Sequence, residues 1–186
     1  MTLHLDLLRH GETEIGGFRG SLDDALTERG WTQLHAAVAD RSGWDRIVSS
    51  PLQRCARFAQ VLAEQRTLPL SFEADLQELH FGAWEGRSAA QLMETDETSL
   101  GLFWNDPYAF TPPEGESLTH FSARVQAPHW VACMPIIQGG ACCWSYTAAS
   151  CACCWPRRAA CLVNICCRSR WATGRCFRYG WRQTAR

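Results

Sequence analysis

Apolar and polar positions alternate over Leu3, Leu5 and Leu7, and the alternation stops abruptly at Arg9-His10-Gly11. A short run of period two predicts a strand, and the switch to cationic and glycine residues predicts a carboxyl end opening into a polar, anion-binding turn. A glycine-punctuated loop follows, Gly16-Gly17-Phe18-Arg19-Gly20, able to approach a ligand closely. Thr27 then reads as an N-cap with Glu28 in the first turn, and Trp31, Leu34, Ala37 and Val38 repeat at helical spacing. Trp44 to Val48 predicts a second strand ending in Ser49-Ser50-Pro51, a helix start with Ser50 as cap and Pro51 at the first helical position. The helix after it carries Leu52, Ala56, Ala59, Leu62 and Ala63 on one face, and Arg54 in its first turn beside the positive end of the helix dipole.

Leu70 to Phe72 predicts a third strand, and residues 88 to 110 a helical insert with Phe103 and Trp104 as apolar positions. Pro112-Pro113-Glu114-Gly115-Glu116-Ser117 breaks the chain before a last helix with Phe121 and Val125 on one face. Strand, helix, strand, helix is the order of an α/β fold with a mainly parallel sheet, in which ligands bind beyond the carboxyl ends of the strands. Arg9, His10 and Arg54 fall at that edge. A chain of 186 residues suffices for one domain with a sizeable core.

Composition changes this picture at residue 128. All 19 Asp and Glu lie before it, with 10 of the 18 basic residues, for a net charge of −9; the remaining 59 residues hold 8 Arg and no acid, for +8. Ten of the 11 Cys and five of the nine Trp also fall in those 59 residues, and the chain has no Lys. Soluble globular segments of that length without Asp or Glu are rare. Two regions are expected: residues 1–127, and a Cys/Trp/Arg-rich tail over 128–186. With no basic n-region leading an apolar run and no membrane-length apolar span, a reducing cytoplasm is the expected location, which argues against a disulfide framework.

Transfer of a phosphoryl group to a side chain needs a nucleophile, cations to share the charge of the phosphoryl oxygens, and an acid for the leaving oxygen. His10 can be the nucleophile through a neutral imidazole nitrogen; Arg9 and Arg54 can hold phosphate bidentately and favour that neutral form; Glu78 is the candidate general acid. Three segments carry a resemblance: Arg9-His10-Gly11-Glu12-Thr13, SSPLQRCARFA at 49–59, and LQELHFGAWEG at 76–86. In that order and approximate spacing the chain resembles the histidine phosphatase (phosphoglycerate mutase-like) superfamily. The resemblance implies a three-layer α/β sandwich and a phosphohistidine intermediate on His10. It makes Arg9, His10, Arg54 and Glu78 catalytic-pocket positions, and it implies a small-molecule phosphomonoester as substrate. It implies no metal or organic cofactor; neither a membrane nor a nucleic-acid partner is expected, because no apolar span is membrane-length and the basic tail is read as an aberrant segment. GGFRGSLDDALTERG after the histidine, and FGAWEG followed by PPEGES, look most like the alpha-ribazole phosphatases of cobalamin assembly. A broader sugar-phosphate or mutase-like enzyme is the alternative, and a noncatalytic phosphate-binding protein is the reading from another class.

Other residues have plainer readings. His4, His35 and His120 read as ordinary surface or partly buried histidines, and His80, beside Glu78, as a lesser candidate for substrate contact. Trp84 and Trp104 read as packing, and Cys55 as a small hydrophobe inside a helix. The tail's Cys142-Cys143, Cys151-Ala152-Cys153-Cys154 and Cys166-Cys167 lack the spacing of zinc knuckles.

The superfamily also carries a second histidine in an apolar-strand-His-Gly-Gly motif, expected near residue 145, whereas the last histidine here is His129. Ile136-Ile137-Gln138-Gly139-Gly140 has Gln in that place but lies too early. The genetic code offers another account. Joining the third base of each codon to the first two of the next, across Ala141 to Pro156, permits LLVxHGGVxRxLLA, with the histidine codon straddling Tyr146 and Thr147. The same shift permits a helix-like ALGxLHADHPGxR from Pro128 and LPIEVG from Cys166. The tail is therefore expected to be a frameshift product, leaving a chain that lacks a central strand and is poorly active.

Overall fold

The computed structural model describes residues 2–126, 141–146 and 176–182. The elements run β1 (Thr2–Arg9), α1 (Glu28–Val38), β2 (Trp44–Ser49), α2 (Gln53–Arg66), β3 (Leu70–Phe72), α3 (Ala89–Asn105), α4 (Leu118–Val125), β4 (Ala141–Tyr146) and β5 (Cys176–Arg182). The sheet order is β3-β2-β4-β1-β5. β1, β2, β3 and β4 are mutually parallel and β5 runs antiparallel along β1, so this is the expected α/β class with a mainly parallel sheet.

One expectation is corrected here. The sheet does not lack its central strand, because Ala141–Tyr146 forms β4 between β1 and β2. Its register pairs Tyr146 with Arg9 and Ser145 with both Leu8 and Ser49, so β4 ends level with the arginine that precedes His10. Ile136 to Gly140, His129 and the cysteines of 151–154 and 166–167 lie outside the described residues.

The carboxyl half of β1 is buried on both faces. Leu8 joins Leu34 and Val38 of α1, Ile47 of β2, and Phe58 and Leu62 of α2 in one apolar cluster, which places both helices on one face of the sheet. Asp6 is buried on the same strand and accepts the Trp44 indole N–H at 2.7 Å, with Arg41 3.7 Å from its carboxylate. The predicted faces hold in part: Leu34 and Val38 are buried in α1 with Trp31 and Ala37 half-buried, and Ala59, Leu62 and Ala63 are buried in α2, where Ala56 is half-buried and Phe58, outside the predicted face, is buried instead. Cys55 is fully buried and takes part in no disulfide.

The helical insert is α3, interrupted at Asp96, where φ is −155° and ψ 48°. Trp84 is core, closed in by Phe103 and Phe110, whereas Trp104 stands exposed. A separate apolar group joins α4 to the segment after β3 through Leu79, Leu118, Phe121 and Val125.

The cap of α1 is Thr27, whose hydroxyl accepts the Gly30 N–H at 3.0 Å. That turn fits the β1 exit with no spare volume: a Cβ on Gly11 would run into the backbone of Gly30, and one on Gly30 into the carbonyl of Glu12. Backbone cannot yield as a flexible side chain does. Gly30→Ala is expected to cost about 1–3 kcal/mol, the usual range for overpacking, read as a lowered midpoint in denaturant unfolding with unchanged slope.

Candidate active site

β1, β2 and β3 all deliver their carboxyl ends to one edge of the sheet, and the candidate residues follow directly from them. Arg9 is the last residue of β1 and His10 the next, Arg54 lies in the first turn of α2, and Glu78 follows β3 after a 3-10 turn at Ala74–Leu76. His10, Arg54 and Glu78 are buried and Arg9 is half-buried.

His10 donates its Nδ1 hydrogen to the carbonyl of Gly11 at 2.7 Å. A carbonyl can only accept, so the proton sits on Nδ1 and Nε2 keeps its lone pair. Burial pushes the His10 pKa down to about 3; the Gly11 hydrogen bond opposes this, and the charges of Arg54, Arg9 and Arg19 add to it. At neutral pH the ring is an uncharged imidazole with one basic nitrogen, the form that attacks an electrophile.

Arg54 is held by the loop after β1. Its Nη1 donates to the carbonyl of Leu22 at 2.7 Å and to Asp24 Oδ1 at 3.3 Å, and its Nη2 to the carbonyl of Gly20 at 2.8 Å. Both Nη1 hydrogens are thereby taken, while the buried Nε–H meets no acceptor among the described residues. The side edge of the guanidinium, Nε with the second Nη2 hydrogen, is left as a fork matching two oxygens of a phosphate. Asp24 is the buried counter-charge that orients this arginine.

The start of α2 differs from the sequence expectation. Its N-cap is Leu52, with no side-chain cap, and Ser50 Oγ accepts the Leu52 N–H at 3.4 Å. The Gln53 N–H donates instead to Asp23 Oδ1 at 2.6 Å, so a carboxylate thirty residues away serves the helix end. Consecutive aspartates thus divide the work: Asp23 fixes the helix start and Asp24 the arginine one residue further on.

The structure adds Arg19 to the constellation. It donates to the Thr13 hydroxyl and, at 3.0 Å, to the carbonyl of Ile15, anchoring it to the turn that follows His10. Burial holds its pKa below the ordinary arginine value, with Arg54 and Arg9 acting in the same direction and Asp24 and Glu78 opposing. Three arginines and one glutamate therefore share a field around a neutral imidazole. Glu78 itself accepts the Leu79 N–H at 3.0 Å. Arg19 was visible in the sequence only as one member of a glycine-rich loop, and nothing local marked it as a site residue.

Three other histidines have described surroundings. His35 packs against Trp31 and Phe58. His120 Nδ1 lies 2.7 Å from Glu116. His80 is 47% exposed and 3.8 Å from Glu85, whose carboxylate ties Ser21 to Phe81. The side chain of His4 lies outside the described residues. No helix among the described residues is long and apolar enough to cross a membrane.

Comparison with known proteins bears on this edge of the sheet. A bifunctional protein of Mycobacterium tuberculosis is 40% identical over 126 residues, covering 64% of this chain and 34% of its own length. The adenosylcobalamin/alpha-ribazole phosphatase of Escherichia coli is 34% identical over 130 residues, covering 67% of this chain and 64% of its own. The chain thus spans about a third of the length of the first of these relatives and just under two thirds of the second. Among solved structures, mycobacterial glucosyl-3-phosphoglycerate phosphatase superposes with a TM-score of 0.77 at 26% identity, over 94% of this chain and 88% of that one. The family model for the histidine phosphatase superfamily (branch 1) matches residues 5–129 and includes every candidate residue above. That match takes in two thirds of the sequence, and the chain belongs to the histidine phosphatase superfamily, branch 1.

Proposed function

We propose that the site is that of a phosphomonoesterase working through a phosphohistidine on His10. The observation that carries this is the state of His10: uncharged, with its Nδ1–H fixed on the Gly11 carbonyl and Nε2 free to attack. The Nε2 lone pair forms the N–P bond as the P–O bond to the alcohol breaks, and the Glu78 carboxyl gives its proton to the departing oxygen. Water then attacks phosphorus and breaks the N–P bond, and the Glu78 carboxylate takes back a proton, releasing inorganic phosphate. Arg9 and the open edge of Arg54 hold the phosphoryl oxygens, and Arg19 adds positive charge where negative charge develops. By family resemblance the reaction calls on no metal.

The preferred substrate in this reading is alpha-ribazole 5'-phosphate. The resemblance of the 16–30 and 81–86 segments supports it, as does the Escherichia coli relative. A sugar-phosphate monoester is the second reading, supported by the superposition on glucosyl-3-phosphoglycerate phosphatase. The test of the shared mechanism is a rapid quench in alkali after mixing the protein with a phosphomonoester, followed by peptide mapping. An acid-labile, alkali-stable phosphate on His10 is expected. Phosphate bound tightly at equilibrium with no label on His10 would favour a noncatalytic phosphate-binding protein. Turnover of alpha-ribazole phosphate against that of phosphosugars then separates the two substrates.

The match to the family ends at residue 129, and the frameshift account of the tail is part of the proposal. Residues 141–146 run in the sheet centre, the place the shifted reading requires for its apolar strand. In the frame as written the position lacks the histidine. Sequencing the coding DNA around codons 125–130 tests this directly; an intact gene in which no frame encodes His-Gly-Gly would refute it.

A further inference from the structure

The segment that carries Glu78 has no sheet or helix of its own over residues 77–81, so its backbone carbonyls need partners from elsewhere. Those of Gln77 and Glu78 find one side chain. Arg124, on α4, donates Nη1 to the carbonyls of Asp75 at 2.7 Å and Gln77 at 2.9 Å, and Nη2 to the carbonyl of Glu78 itself at 3.1 Å. The other two N–H groups go to one carboxylate: Nε to Glu116 Oε1 at 2.8 Å and Nη2 to Glu116 Oε2 at 2.7 Å. All five guanidinium hydrogens are therefore taken, and none is left for a substrate. Glu116 in turn donates its backbone N–H to the carbonyl of His80 at 2.8 Å, closing the grip on the far side of Glu78. Phe121, fully buried one turn before Arg124, lies under the guanidinium with its ring centre 4.8 Å from Cζ.

We propose that Arg124, locked by Glu116, is a positioning residue for the general acid, holding the Glu78 backbone so that its carboxyl meets the leaving-group oxygen. The inference rests on the reading of Glu78 as the acid. A surface ion pair would not need three main-chain carbonyls from one short segment, and a structural arginine elsewhere would not have its contacts centred on the residue that donates the proton. A rigid fork is required, because three carbonyls and a carboxylate arranged around one group cannot all be reached by an ammonium. Arg124→Lys is thus a real loss of geometry while it keeps the charge beside Glu116.

The test uses leaving groups. Nitrophenolate departs without a proton, whereas the alkoxide of glycerol phosphate needs one, so misplacing the acid slows leaving-group release from the second substrate alone. Single-turnover rates of nitrophenol and glycerol release, with enzyme in excess, are measured for the full chain, Arg124→Ala, Arg124→Lys and Glu78→Gln on p-nitrophenyl phosphate and glycerol phosphate. Both Arg124 variants are expected to lose on the order of 10- to 100-fold in maximal rate on glycerol phosphate, with little change in half-saturation and little change on p-nitrophenyl phosphate. If Arg124→Ala melts at the assay temperature, Arg124→Lys carries the comparison. Equal losses on both substrates would make Arg124 merely structural and overturn the inference. So would an intact glycerol phosphate rate in Arg124→Lys beside a selective loss in Glu78→Gln. No selective loss in Glu78→Gln would instead remove Glu78 from the acid's role and the inference with it.

Discussion

A chain read in the shifted frame from about residue 128 is expected to hydrolyse a model phosphomonoester on the order of 10²- to 10³-fold faster than the chain as written, the typical worth of one transition-state donor. β4 is parallel to β1 and β2 and lies between them, and its last residue, Tyr146, pairs with Arg9. The carboxyl end of this strand therefore lies at the edge of the sheet where β1 gives way to His10. In the shifted reading the histidine codon straddles Tyr146 and Thr147, so the imidazole enters at the end of the same central strand. The frame as written has Tyr146 and Thr147 where the shifted frame has that histidine, so the imidazole's share in stabilising developing charge on the phosphoryl oxygens is the quantity at stake.

The measurement is kcat on p-nitrophenyl phosphate for the two chains under the same conditions, with a third chain in which the restored histidine is replaced by Ala. The third chain should fall back toward the rate of the first. Equal rates for all three would mean that Arg9, Arg19 and Arg54 already supply the stabilisation, and the tail's frame would have no bearing on the chemistry.

What could be read from the chain divides along contact distance. Arg9 and His10 are contiguous and follow an apolar alternation, so strand, turn and chemistry coincide in one stretch. Arg54 is readable from its place in the first turn of the helix after Ser-Ser-Pro, yet the cap of that helix end is not the Ser50 that the local pattern suggests. The real partner of that helix end, Asp23, is thirty residues distant, and no local pattern of Ser-Ser-Pro reveals a carboxylate arriving from another loop. Arg19 and Arg124 escaped for the same reason. One is recognisable only when the loop after β1 folds back on Thr13, and the other only when α4 meets carbonyls that belong to a segment 46 to 49 residues earlier. Strand β4 escaped differently: Ala-Cys-Cys-Trp-Ser-Tyr carries little strand pattern, and its pairing is set by the two parallel neighbours it lies between.

His10→Asn is expected to move two quantities in opposite directions. Turnover falls on the order of 10³-fold or more, because an amide cannot form the N–P bond and the covalent step has no substitute nucleophile. Resistance to acid rises. In the folded chain His10 protonates only near pH 3, whereas in the unfolded chain it protonates near the ordinary value of 6.5. Between those values the unfolded state binds the proton and the folded state does not, so lowering the pH favours unfolding by about 1.4 kcal/mol for each unit below 6.5. At pH 4 this amounts to about 3 kcal/mol, and above 6.5 it vanishes because both states are neutral. Asn does not titrate, so this component of acid sensitivity leaves with the histidine. Denaturant unfolding of the parent and His10→Asn at pH 7 and pH 4 reads the difference: the parent should lose about 3 kcal/mol more than the variant over that interval. An identical loss in both chains would mean that His10 is not held neutral by burial, and the case for a lone pair waiting on Nε2 would fall with it.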